Sequence, residues 1–184
     1  MKLRYNIHMN ELIRTRLKDM VADYRLPRYA ELPNVGLYLE QVAKYINGFL
    51  EPIGCSEITT SMISNYVKKG IVPAPEKKQY YADHIAHLIF VAVSKNVLSL
   101  DDIHELFCMQ RKMYTVPVAY DYFCMEFENM LMFVFGIKKK PDANIGVTNT
   151  ELKYFLRSVI ISVSHSVYLA ACFREIKNDK EPDQ

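Results

Sequence analysis

The chain has 184 residues, half of them hydrophobic, which excludes a protein that is disordered along most of its length. The formal net charge is only +2, but residues 1–81 carry 12 basic and 8 acidic side chains, whereas residues 82–184 carry 11 and 13. Any nucleic-acid-binding surface is therefore expected in the first half of the chain. Glycine is scarce and helix formers dominate the apolar stretches, which predicts an all-α fold.

The first third of the chain contains two predicted helices separated by a loop with prolines. The first runs from Glu11 to about Asp23, where Ile13 and Leu17 begin an apolar stripe with helical spacing. The second runs from about Leu37 to Leu50 and has a stripe of the same kind.

A short third helix and a basic segment follow. The helix is predicted from Ser61 to Lys69, because Thr59 or Thr60 can cap its start and Gly70 can end it. Together with the second helix it has the helix-turn-helix pattern. Residues 71–81 contain two prolines, and β-branched and aromatic residues flank a basic centre, which predicts a short β-ribbon or loop.

Four further helices are predicted in the rest of the chain. A capping box of Ser99 and Asp102 starts the second of them, and one of Thr148 and Glu151 starts the last. Pro117 is predicted to separate the middle two. The four helices run from Ala82 to about Lys95, from Ser99 to about Lys112, from Ala119 to about Phe135, and from Thr148 to about Lys177.

Residues 158–173 of the last helix contain no charged side chain. This segment is shorter than the roughly 20 residues that cross a bilayer, and it contains four serines, so it is predicted to be a buried helix with His165 as a hydrogen-bonded core residue. The four cysteines are isolated, as reduced core cysteines are, and residues 1–9 lack the apolar run of a signal peptide. A cytoplasmic protein with no membrane partner is expected.

Residues 37–110 resemble the DNA-binding domain of MerR-type regulators. Tyr66 and the run from Gly70 to Pro73 occupy the places of that family's tyrosine and Gly-Leu-Ile/Leu-Pro run at its recognition helix. The segment Leu98–Ile103 is similar to the Phe-Ser-Leu-Glu-Glu-Ile start of its next helix, and Ser64 stands where the family usually has arginine. The whole chain also resembles a family of uncharacterised small proteins from low-GC Gram-positive bacteria, known as a domain of unknown function with a predicted MerR-like helix-turn-helix.

The resemblance implies a MerR-like winged helix-turn-helix at residues 37–112, preceded by an N-terminal helix and loop at 1–36 and followed by a helical dimerisation or sensing module at 113–184. It also implies that the third helix and the wing bind double-stranded DNA. The predicted DNA-binding residues are Thr60, Ser61, Ser64, Asn65, Tyr66, Lys68, Lys69, Lys77 and Lys78.

The side chains of the third helix fit this role. Ile63, Tyr66 and Val67 can pack against the protein on one face. On the other face, Asn65 can pair with adenine and Lys68 can contact phosphate or guanine. The alternative is that these polar residues only solvate an exposed helix.

The C-terminal half is rich in methionine and aromatic residues between Met113 and Phe135. They surround most of the predicted helix, and ordinary core, a dimer interface and the wall of a ligand pocket all remain open. Because helix-turn-helix proteins usually read two half-sites as symmetric dimers, a homodimer is expected, with a small-molecule effector as a possible partner.

Metal and enzyme functions find little support. His84, His87, His104 and Cys108 have helical spacings that would allow a zinc site if the two helices packed together, but packed helices place such residues side by side by accident, and no metal or cofactor is predicted. The sequence has no phosphate-binding glycine loop, H-E-x-x-H or G-x-S-x-G motif, so no enzyme is expected. The alternative to a regulator is an interaction or ligand-sensing protein that keeps the helix-turn-helix as a scaffold.

Overall fold

The computed structural model describes residues 11–143 and 150–179, and the regular secondary structure of these ranges is helical. The all-α prediction is therefore confirmed. Extended pairing in the described ranges is limited to two isolated antiparallel bridges, Leu37 with Tyr80 and Glu76 with Gln79. The described helices are α1 Glu11–Ala22, α2 Leu39–Leu50, α3 Thr60–Lys68, α4 Ala82–Ser94, α5 Leu100–Arg111, α6 Val116–Val134 and α7 Glu151–Asn178, with single 3-10 turns at Tyr29–Glu31 and Glu51–Ile53.

Side-chain caps fix several helix starts close to the predicted positions. The Thr59 hydroxyl accepts a hydrogen bond from the Met62 amide at 3.2 Å, and Ser99 and Asp102 form the predicted capping box at the start of α5. The cap of α7 is Thr150, and the predicted cap Thr148 lies outside the described residues. Pro117 was expected to separate α5 from α6, but it lies in the first turn of α6, where a helix needs no amide hydrogen from it.

The core runs through all of these helices as one cluster of buried apolar side chains. α4 lies at its centre, since every residue from His84 to Ser94 is buried. α2 and α3 pack on one another and α2 packs on α4, while α6 and α7 pack along each other and both contact α1 and α4. The half of the chain that carries α3 is therefore built onto the C-terminal helices.

An ion pair ties the loop after α1 to α6. The guanidinium of Arg28 donates two hydrogen bonds to the carboxylate of Glu128, at 2.7 and 2.6 Å, and the Leu26 amide donates a third at 2.9 Å. The Arg28 side chain is about a quarter exposed and Glu128 less. The paired geometry holds this loop against α6 and raises the pKa of Arg28 further above its usual value.

α7 is not a fully buried helix, contrary to the prediction. Its buried face, which includes Val163 and Val167, packs on α1, α4 and α6, but large apolar side chains line its other face and His165 is exposed rather than part of the core. By length and composition α7 could cross a membrane, as could many core helices of soluble proteins. The large apolar side chains exposed along it are Tyr154, Phe155, Ile161, Leu169 and Phe173.

Candidate nucleic-acid interface

α3 has two distinct faces. Ile63 and Tyr66 are buried, at 0 % and 3 % exposure, and they anchor the helix to the core. The opposite face, at spacings of three and four residues, is polar and exposed, as the sequence predicts. It consists of Ser61, Ser64, Asn65 and Lys68.

The end of α3 is set by Gly70, which has a φ of +70°. Its amide bonds to the carbonyl of Val67, and the Ile71 amide bonds to the carbonyl of Tyr66, which is the Schellman arrangement. The next residues, Ile71 and Val72, are buried, so the chain turns back into the core before the basic segment.

Three of the predicted contact residues stand apart from this face. Tyr66, predicted both to pack and to contact DNA, is buried and packs in the core. Thr60 is half-buried at the start of α3. Lys69 is exposed but shares a surface recess with Asp101, Asp102 and Glu105 of α5, so carboxylates compete with phosphate for its ammonium group.

The basic segment forms a minimal hairpin. Glu76 and Gln79 exchange both backbone hydrogen bonds, at 3.0 and 2.8 Å, and the two lysines between them form its tip. Lys77 and Lys78 have φ values of +48° and +67°, the signature of a type I′ turn, and both side chains are exposed. The turn thus presents two ammonium groups to solvent a few residues beyond the end of α3.

The hairpin is fastened at its base. Tyr80 pairs with Leu37, just before α2, through two backbone hydrogen bonds at 2.9 and 2.8 Å. The two backbone segments approach closely at Gly36. A Cβ there would lie 2.7 Å from the Cβ of Gln79, so any residue other than glycine would clash. The His84 ring links the two ends of the hairpin segment. Its Nδ1 accepts a hydrogen bond from the Tyr81 amide. The ring hydrogen therefore lies on Nε2, which donates it to the carbonyl of Ala74 at 3.1 Å.

His84, His87, His104 and Cys108 do not come together in the part of the chain that the structure describes. Both ring nitrogens of His84 are hydrogen-bonded at the hairpin. His87 donates to the Asp83 carbonyl at 2.6 Å and packs edge-on against the Phe107 ring. Burial holds the pKa of His87 below its usual value. His104 and Cys108 contact each other, with Nε2 and Sγ 3.6 Å apart. In residues 11–143 and 150–179 no three metal-ligating side chains come together.

A second candidate site lies between α4, α5, α6 and α7, where an apolar cavity of about 240 Å³ opens to the surface. Part of the aromatic segment of the sequence lines this cavity, namely Tyr114, Tyr120, Tyr122 and Phe123. Phe127 and Met130 belong to the closed core. The segment therefore contributes to the core and to the cavity wall. The sequence analysis missed Lys153, a buried cavity residue. The only signal was its place three residues before Leu156, on the apolar side of α7.

Comparison with known proteins gives one match. Residues 27–123, just over half of the chain, match a family described as a domain of unknown function (DUF1836). That range includes α2 to α5, the hairpin and the first part of α6. No curated protein matches the chain, and no solved structure does.

Proposed function

We propose that this chain, which belongs to the DUF1836 family, is a dimeric, sequence-specific DNA-binding regulator of the MerR-like winged helix-turn-helix type. In this proposal α3 enters the major groove of double-stranded DNA and its exposed face meets the base edges. The hairpin acts as the wing and places Lys77 and Lys78 against the phosphates beside the groove.

The two-faced α3 is the observation that carries the proposal. A helix that is anchored by Ile63 and Tyr66 and exposes serine, asparagine and lysine on its outer side has the chemistry of a groove-reading helix. Asparagine can make a bidentate pair with adenine, and a serine hydroxyl can donate to a base or a phosphate.

The charge of the surface agrees with this role. Lys68, Lys77 and Lys78 are exposed, and no carboxylate within the described ranges forms an ion pair with any of them. Their ammonium groups are therefore available to replace counterions on a phosphate backbone, which gives an affinity that falls with salt.

The exposed face of α7 supports the dimer. An exposed apolar face along a helix of this length is unusual in a monomer, since it keeps large side chains in water. Because residues 158–173 contain no charged side chain, a second copy of the same helix can pack on this face without repulsion between like charges. We assign the face to a second copy of this chain.

The test begins with selection of duplexes from a random-sequence pool by the full-length protein, followed by titration of the enriched duplex. Replacing Asn65 and Lys68 by alanine is expected to weaken binding by about 30-fold or more, because each group contributes roughly 1–3 kcal/mol and the two losses add. The matched control is Lys177→Ala with Asn178→Ala, the same pair of exposed residues at the far end of α7, and it is expected to leave affinity unchanged.

The salt dependence separates the two residues. Lys68→Ala is expected to reduce the slope of log affinity against log salt by about one unit, whereas Asn65→Ala should leave the slope alone and relax the sequence preference at one position. The proposal fails if no duplex is enriched, or if both double variants bind the enriched duplex as the unchanged protein does.

A further inference from the structure

The cavity lies between the half of the protein that carries α3 and the C-terminal helices. Phe90 of α4 and Phe107 of α5 contribute to one side of it, and α6 and α7 form the other. Its volume of about 240 Å³ exceeds that of the apolar cavity of about 150 Å³ that holds benzene in a well-studied lysozyme variant. Scaling from benzene gives room for about ten non-hydrogen atoms, the size of one substituted ring or of two fused rings.

Aromatic rings form much of the cavity wall. The Phe90 ring packs against the rings of Phe107 and Phe123, with centroids 5.4 and 5.0 Å apart. The His87 ring lies edge-on to Phe107 at 4.6 Å, and Phe123 stacks at 5.6 Å on Phe127, which lies behind the wall. Rings that support one another in this way have fixed orientations, so their faces and edges are ready to pack against another ring. The wall therefore favours an aromatic ligand over an aliphatic one of the same size.

Several polar groups of the wall already have hydrogen-bond partners in the protein. Nδ1 of His87 donates to the Asp83 carbonyl, and the side-chain amide of Gln110 donates to the carbonyl of Tyr114, both at 2.6 Å. The Tyr114 hydroxyl lies 3.1 Å from that of Thr150. A ligand therefore gains little from hydrogen bonds to these groups, and the burial of apolar surface supplies most of its affinity.

The lining also disfavours a charged ligand. Among the described residues it contains no carboxylate that could pair with a cation, and its charged side chain is that of Lys153. The ammonium group of Lys153 already interacts with other groups of the protein. Its nitrogen lies 5.4 Å from the centre of the Tyr122 ring, and the buried carboxylate of Glu126, which does not line the cavity, attracts it. A cation in the cavity would be repelled by this group, and an anion would have to compete with its existing partners.

We infer that the cavity binds a small uncharged aromatic molecule of about ten non-hydrogen atoms, whose ring packs among Phe90, Phe107 and Phe123. A polar substituent of such a ligand lies at the opening of the cavity, where water can solvate it. This binding does not depend on the proposed function, so it is measured on the full-length protein without DNA, and a failure of either proposal leaves the other standing.

The experiment titrates 2-phenylethanol into the protein and follows the methyl NMR signals of the protein together with its thermal unfolding. Three relatives of similar size are compared: 2-cyclohexylethanol lacks the aromatic ring, whereas phenethylammonium and phenylacetate carry a positive and a negative charge. We expect 2-phenylethanol to bind with a dissociation constant below about 1 mM and to raise the melting temperature. The affinity of 2-cyclohexylethanol is expected to be about 2- to 10-fold lower, and that of each ion at least about tenfold lower.

A variant and a set of NMR contacts locate the site. Ala119→Leu fills the cavity from α6 and is expected to abolish binding of 2-phenylethanol while raising or preserving the melting temperature. The matched control is Ala22→Leu, at an exposed position of α1, which should bind as the unchanged protein does. In the unchanged protein, nuclear Overhauser effects are expected between the ring protons of the ligand and the methyl groups of Leu106 and Leu156.

The proposal is overturned if 2-phenylethanol does not bind, if its saturated relative or either ion binds as tightly, or if Ala119→Leu leaves its affinity unchanged. Should Ala119→Leu fail to fold, the absence of the Overhauser effects to Leu106 and Leu156 overturns the proposal instead.

Discussion

Lys77 and Lys78 occupy backbone conformations that lysine rarely adopts. Both have positive φ, and a side chain other than glycine or asparagine costs about 1 kcal/mol or more in that region. An Asn-Gly pair would suit this turn better. Exposed lysines at such positions are consistent with a function that needs their charge.

This strain gives a prediction in which stability and function move in opposite directions. Replacing Lys77 by asparagine and Lys78 by glycine is expected to raise the free energy of unfolding by about 1 kcal/mol, because the turn is then unstrained. The same change should lower affinity for the selected duplex and its salt dependence, since two phosphate contacts are lost. Urea unfolding and DNA titration measure the two effects, and a variant that binds DNA as well as before would exclude the hairpin from the interface.

For single residues, the sequence predicts exposure well where the polarity of the side chain is unambiguous. Ser61, Asn65 and Lys68 lie on the exposed face as expected, because the helical period and their polarity agree. His165 was misplaced, since its side chain is partly polar and can lie on either side of a helix. Only the neighbouring helix decides where such residues lie, and the sequence does not say which helix that is.

Among the helices, α7 shows most clearly which structural features the sequence can and cannot predict. Its length and its charge-free middle are readable in the sequence, but which of its faces is buried depends on where α1, α4 and α6 lie. The starts of α3 and α5 were predictable for the opposite reason, because a threonine or serine cap and its partner amide lie within three residues of one another. Caps of this kind can be read from a few neighbouring residues, whereas packing between helices far apart in the sequence cannot.

The exposed face of α7 predicts a dimer that one charge would break. Leu169→Glu places a carboxylate in the middle of the apolar face, where two copies would bury it without a partner. Sedimentation equilibrium should give twice the 21.4 kDa mass of the chain for the unchanged protein and the single mass for this variant. Val35→Glu, at an exposed apolar residue away from α7, is the control and should remain dimeric. An unchanged protein that is monomeric at micromolar concentration would rule out this interface.

The three segments expected from the sequence share one core in the folded molecule. Apolar residues of 1–36, 37–112 and 113–184 belong to the same buried cluster, with α4 in its middle. Helical periodicity shows that α4 is apolar all round, which signals burial, but it cannot show that α6 and α7 provide the cover. The cavity could not be foreseen for the same reason, because its walls come from helices far apart in the sequence.

This shared core predicts that residues 37–112 do not fold alone, although they contain α3, the hairpin and α5. Without α6 and α7, the α4 side chains that they cover would meet water; Phe90, whose ring contacts Phe123, is one of them. At roughly 1.5–3 kcal/mol for each large apolar side chain left exposed, losing a few of them removes most of the 5–15 kcal/mol that stabilises a typical domain. The fragment is expected to show poorly dispersed amide NMR signals and no cooperative thermal transition, whereas a chain of residues 11–179 keeps the single transition of the full protein. A fragment that melts cooperatively would mean that the proposed DNA-binding part is an independent domain, joined to the C-terminal helices across an interface rather than through a common core.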